Sequence, residues 1–296
     1  MASTGLFPES AVGIEKPLVI FSDLDGTLLE FETYSWHEAA EALGLLVRRR
    51  IPLVLCTSKT RSEVEEFRAA FRNCDPFIVE NGGAVYVPVR DWNRAVPGGV
   101  RIGEYWQIPL GKPYDVLLSA VAEIRKQTGL GLRGFADLEA RQVAELTGLS
   151  LERARRAKER EFDEPLIVHG NEEQDLLAAW ARKLGLRVSR GGRFWHLHGG
   201  ADKGRAVKRV VSLYDQELGS VTTVGIGDSA NDLPMLEAVD VPVLVQKPDG
   251  TYDDRVDLDG LIRAPAPGPR GWNWSVKWLL DQPGSGPAHG RARKDD

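Results

Sequence analysis

The sequence predicts an α/β fold: a doubly wound parallel sheet interrupted by an inserted α+β domain. Three observations lead there. From Leu18 onward, short apolar runs alternate with amphipathic stretches, the pattern of strands covered by helices. The same alternation returns after residue 200. The stretch between, residues 88–199, has a different texture, with helical periodicity interleaved with short strand-like runs.

The elements follow in order. Residues 18–21 are uniformly apolar and read as a buried strand, residues 36–50 as a helix, and residues 51–56 as a second strand. Residues 62–73 place Val64, Phe67 and Phe71 on one helical face. Residues 77–79 and 84–87 read as strands about the turn Glu80-Asn81-Gly82-Gly83. In the insert, helices are expected at 114–128, 140–147, 151–160 and 172–184, with strands at 104–108, 166–169, 186–189 and 194–197. The core resumes with a helix at 202–213, a strand at 221–226, a short helix at 232–239 and a strand at 241–245. The expected domains are therefore an N-terminal extension at 1–16, a core at 17–87 and 200–281, and a cap at 88–199. Residues 282–296, rich in Gly and Pro with a charged end, read as a disordered tail.

Bulk properties narrow the function. A length of 296 residues accommodates two domains, each with its own core. The net charge of -5 lacks the basic field of a general nucleic-acid binder, but it permits an anionic substrate in a locally basic pocket. The two cysteines, Cys56 and Cys74, have no ligand-type spacing and predict neither a disulfide framework nor a zinc site. No apolar run approaches the roughly 20 residues that span a bilayer. The first residues lack the basic and apolar regions of a signal peptide, so a cytoplasmic protein is expected. Oligomeric state is not legible.

The chemistry concentrates in four short runs. Asp23-Leu24-Asp25-Gly26-Thr27 follows directly on the first strand, at the carboxyl end where doubly wound sheets place their ligands. Two adjacent carboxylates repel each other unless a cation is present, and hard oxygen ligands suit Mg²⁺. An isolated Asp-Gly pair would read as a turn, but the strand and the complete run are far more restrictive. Gly227-Asp228-Ser229-Ala230-Asn231-Asp232 repeats the arrangement after a later strand. Asp228 offers a further ligand there, with Asp232 as ligand or support; alone, the run could equally be a helix cap. Thr57, Ser58, Lys59 and Arg61 end the second strand with hydroxyls and positive charge, a phosphate cradle or a helix cap with solvated cations. Lys203 opens a helix against its macrodipole, which a local anion would explain.

These four runs, in this order, resemble the haloacid dehalogenase-like (HAD) superfamily of phosphotransferases. The resemblance implies that Asp23 attacks phosphorus to form an aspartyl phosphate, and that Asp25 protonates the leaving oxygen and then activates water. It implies that Thr57 and Lys203 hold the phosphoryl oxygens. The Mg²⁺ ligands would be the Asp23 carboxylate, the Asp25 carbonyl and the Asp228 carboxylate, with Asp232 supporting. Transport ATPases of the superfamily carry Thr two positions after the nucleophile, so Asp25 points to hydrolysis.

The insert resembles the superfamily's type-2 cap, which closes over the site and selects the substrate. Thr33-Tyr34-Ser35-Trp36, the run at 57–61, Val79-Glu80-Asn81-Gly82-Gly83, Gly134-Phe135-Ala136-Asp137, Ala144-Glu145-Leu146-Thr147-Gly148-Leu149, the run at 157–165 and Gly191-Gly192-Arg193-Phe194-Trp195-His196 go further. They are similar to the mannosyl-3-phosphoglycerate phosphatase subfamily of compatible-solute synthesis. The implied partner is a small phosphorylated glycosylglycerate, with no nucleic acid or membrane. Ser58, Lys59, Asn81 and Asn231 are expected to contact it, and Arg133 and Arg193 are candidates for its carboxylate, although an arginine taken singly reads as a surface residue. A glucosyl ester, another sugar phosphate such as sucrose phosphate, a phosphomutase and a non-catalytic sensor stand as alternatives.

Overall fold

The computed structural model describes residues 16–92, 95–191 and 193–283. The expected N-terminal extension and C-terminal tail lie outside them except for Lys16, Gln282 and Pro283. Among the described residues, a nine-stranded sheet forms the core. Its strands are β1 (Leu18–Ser22), β2 (Leu53–Cys56), β3 (Phe77–Val79), β4 (Ala84–Pro88), β5 (Val100–Ile102) and β6 (Tyr105–Pro109). A four-stranded sheet follows, built from β7 (Arg133–Gly134), β8 (Asp163–Ile167), β9 (Arg187–Gly191) and β10 (Phe194–His198). The core sheet is then completed by β11 (Thr222–Gly227), β12 (Val241–Gln246) and β13 (Ile262–Pro267).

The large sheet runs in the order β13-β12-β11-β1-β2-β3-β4-β6-β5. From β13 to β3 all neighbours are parallel, and from β3 to β5 they are antiparallel. β1 therefore lies centrally, flanked by β11 and β2, so the loops after these three strands meet at one edge. β1, β2 and β12 are buried on both faces, which explains their apolar runs. Leu18 and Ile20 pack toward α1 (Ala40–Arg49), α2 (Arg61–Phe71) and α9 (Gly268–Leu280). Val19 and Phe21 pack toward α7 (Lys203–Leu218) and α8 (Leu233–Leu236).

In the second unit, α3 (Tyr114–Thr128) and α6 (Gly170–Lys183) cover one face of the small sheet through Leu117, Ile124 and Leu177. A smaller cluster joins α4 (Ala140–Thr147) and α5 (Leu151–Ala157) to Ile167 and Phe194. The expected start of the insert at residue 88 falls within the large sheet. β5 and β6 extend it to Pro109, because Trp106 and Ile108 pack into the α7 face of the core. The short strands β5 and β7, the edge strand β13 and helix α9, whose Trp272 is fully buried, went unpredicted.

Candidate active site

Asp23 sits at the carboxyl end of β1, and its position is fixed from behind. The Trp272 indole N–H donates to Ser22 Oγ at 2.9 Å, and that hydroxyl donates to the Asp23 carbonyl at 2.7 Å. The loop then turns at Gly26, with φ of 78°. A Cβ there would stand 2.8 Å from Asp228 Oδ2, so only glycine lets the loop after β1 lie against the loop after β11.

The two acidic runs converge. Oxygens of Asp23, Asp228 and Asp232 lie within 4.8 Å of one another. Lys203, the first residue of α7 and almost wholly buried, places its ammonium 2.7 Å from both Asp23 Oδ1 and Asp232 Oδ1. The other oxygen of Asp232 accepts the backbone N–H groups of Asp228 and Ser229, at 3.1 and 3.3 Å. Asp232 is thereby committed to holding the Asp228 loop and Lys203.

Burial, and then the Asp232 carboxylate, raise the Asp23 carboxyl to about 7 against the pull of Lys203. Burial with Asp232 and Asp23 likewise holds Asp228 well above the usual carboxylate range. Burial opposes the charge on Lys203, but Asp23 and Asp232 outweigh it and keep its pKa well above the ordinary lysine value. With all three carboxylates ionised, one ammonium would leave two negative charges uncompensated in this cluster. An oxygen-only donor set with that imbalance fits a divalent hard cation such as Mg²⁺.

Asp25 points away from this cluster toward Lys59, whose Nζ lies 2.9 Å from Asp25 Oδ1 and 3.8 Å from Glu63. The same ammonium stands 4.6 Å from the centre of the Tyr34 ring. Lys59 is thus paired with the second acidic residue of the loop. The cap of α2 is Thr60, in a capping box with Glu63. Thr57 is therefore not that cap; it lies fully buried, one strand over from Asp23. Burial pushes the adjacent Cys56 thiol up to about 12, which leaves it inert as a nucleophile.

Of the expected substrate contacts, Asn81 and Asn231 are brought together, the Asn231 amide donating to Asn81 Oδ1 at 3.0 Å. The Ser58 carbonyl accepts from Arg160 at 3.2 Å. Arg133 and Arg193 both lie on the second unit. Arg133 is exposed on β7 beside Asp137, and the Arg193 guanidinium donates to the Leu146 carbonyl on α4. Among the described residues, neither forms a hydrogen bond or ion pair with the carboxylate cluster. Sequence reasoning missed Glu80 and Arg160, both buried and paired across the two units. Both fall in runs that resemble the subfamily, 79–83 and 157–165, but the second reads as helix scaffolding with solvated charge.

Known proteins resemble this chain in both sequence and fold. A family model described as haloacid dehalogenase-like hydrolase matches residues 17–240. A protein of Methanococcoides burtonii named glucosyl-3-phosphoglycerate/mannosyl-3-phosphoglycerate phosphatase is 42% identical over 263 residues, covering 88% of this chain and 97% of that protein. A protein of the same name from Persephonella marina is 41% identical over 269 residues, covering 90% and 98%. A crystal structure of a Thermoplasma acidophilum protein superposes with a TM-score of 0.62 at 17% identity, covering 89% of this chain and 98% of that one, and shares the fold.

Proposed function

The chain belongs to the haloacid dehalogenase-like hydrolase family, and from that premise we propose that it hydrolyses mannosyl-3-phosphoglycerate to mannosylglycerate and phosphate. The observation that carries the chemistry is the Lys203 ammonium, which binds Asp23 and Asp232 at 2.7 Å at the edge where β1 and β11 end. The substrate class rests on the near full-length relatives, whose shared name carries both sugars. The glucosyl ester is accordingly the second reading.

Asp23 is the nucleophile. Its carboxylate forms a bond to phosphorus as the bond to the glycerate oxygen breaks, leaving an aspartyl phosphate. Asp25 donates the proton that the leaving oxygen needs and then takes one from the water that cleaves the intermediate. Thr57 and Lys203 hold the phosphoryl oxygens as negative charge builds on them. The Asp23 and Asp228 carboxylates and the Asp25 carbonyl would hold Mg²⁺, with Asp232 fixing the Asp228 loop. When bound, the ion offsets the charge of the cluster and of the phosphoryl group. Residues 113–198 act as the cap that selects the glycoside, in a cytoplasmic enzyme whose partner is this small molecule. Among the described residues no helix is long and apolar enough to cross a membrane.

The test is phosphate release across mannosyl- and glucosyl-3-phosphoglycerate, sugar phosphates and free 3-phosphoglycerate. Preference for the glycosyl esters supports the reading. Equal rates on simple sugar phosphates would sink the substrate assignment, and isomerisation without free phosphate would establish a mutase.

A further inference from the structure

The turn at residues 80–83 meets the second unit at three places. Going out, the N–H groups of Leu110 and Gly111 both donate to the Gly83 carbonyl, at 2.9 and 2.8 Å. Coming back, the chain passes so close that a Cβ on Gly82 would stand 2.2 Å from the Asp202 carbonyl oxygen. Between these, residues 160–162 dock on the turn, where a Cβ on Gly83 would lie 2.5 Å from Phe162 Cβ.

Glu80 makes the polar part of that docking. Its carboxylate is buried and accepts the N–H of Glu161 at 2.9 Å on one oxygen and that of Phe162 at 2.8 Å on the other. Arg160 stands 3.8 Å away and donates onward to the Ser58 carbonyl. On its own side, the Glu80 N–H donates to the Lys59 carbonyl and the Asn81 N–H to the Thr57 carbonyl, at 3.0 and 2.9 Å. Asn81 accepts from Asn231, the neighbour of Asp232. Glu80 and Asn81 are both left-handed, with φ of 49° and 56°. Two consecutive non-glycine residues persist there only where surrounding contacts over-determine them.

We infer that Glu80 is a positioning residue that seats residues 160–162 of the cap against the loops carrying Thr57 and Asn231. The inference rests on the phosphatase reading above. Here each of the two carboxylate oxygens takes one of two consecutive N–H groups. Glutamine would turn its NH₂ toward one of them, and alanine would leave both unpaired.

The test compares wild type with Glu80→Gln and Glu80→Ala on two substrates, a glycosyl-3-phosphoglycerate and p-nitrophenyl phosphate, which is too small to need the cap. Glu80→Gln should lower kcat/KM on the glycosyl ester by about tenfold to a hundredfold, with KM raised, and change p-nitrophenyl phosphate turnover by less than about threefold. A folded variant that loses equally on both, or on neither, overturns the inference. Hydrogen exchange on the wild type gives a reading independent of variant folding: the Glu161 and Phe162 amides should be protected together, and exchange at the rate of exposed amides would overturn the assignment. If wild type ignores glycosyl esters, the substrate reading fails, and the same comparison is made with its best ester.

Discussion

Lys203 Nζ lies 2.7 Å from Asp23 Oδ1, and both groups are buried. The ammonium compensates a carboxylate that burial and its acidic neighbours would otherwise keep protonated. It does so from the first turn of α7, where the helix dipole disfavours a cation. Two carboxylates outweigh that penalty.

Lys203→Met should therefore cost more than a surface lysine would. Removing a donor aimed at developing phosphoryl charge lowers kcat by about 10²–10³. It also leaves Asp23 and Asp232 with no ammonium between them. Steady-state phosphate release at saturating Mg²⁺ measures the first effect, and a kcat within twofold of wild type would refute the role given to Lys203.

Asp23→Asn should abolish turnover while raising the melting temperature of the metal-free protein. The substitution removes the nucleophile, and it also removes one of three mutually repelling carboxylates, itself buried. Phosphate release and thermal melting in EDTA check the two halves separately. Measurable turnover sinks the nucleophile assignment, and a lower melting temperature sinks the electrostatic account.

How far the site was legible depended on how local each signal was. Asp23, Asp25, Asp228 and Asp232 fall within two short runs after apolar strands, so spacing alone located them. Glu80 and Arg160 could not be found that way, because their meaning lies in contacts between residues far apart in the chain. Arg133 and Arg193 attracted attention through charge, which does not report direction, and both are turned to the surface of the second unit. Helix α9 was hidden by its opening Gly268-Pro269 and by the prolines of β13 before it. The edge position of β13 lets the sheet tolerate those prolines.

If the cluster holds Mg²⁺ as proposed, the raised carboxyls should make its binding depend on pH. A proton held by Asp23 up to about pH 7, or by Asp228, must leave before the ion binds. The folded pKa of Asp23 is above its unfolded value of 3.8, so the metal-free fold binds extra protons between about pH 4 and 7 and loses stability as pH rises through that window. Mg²⁺ should restore the loss above pH 7. Calorimetric titration in buffers of different ionisation heat should show proton release on binding and an affinity that falls below pH 7; an affinity flat from pH 6 to 8 would sink the claim.

Gly26→Ala tests the meeting of the two acidic loops. Alanine at a φ of 78° costs about 1–2 kcal/mol of backbone strain. Its Cβ would also stand 2.8 Å from Asp228 Oδ2, closer than real Cβ contacts come, so the carboxylate must shift from its place in the cluster. Asp228 is held on its other side by the bond from its own N–H to Asp232. Displacement therefore spreads to the support of Lys203. The Mg²⁺ concentration for half-maximal activity should rise by about tenfold or more while the protein stays folded, since losing the support of a metal ligand typically costs 10–100-fold in metal affinity. Wild-type Mg²⁺ dependence in a folded Gly26→Ala variant would show that the loops can part without loss and that Asp228 is not the ligand.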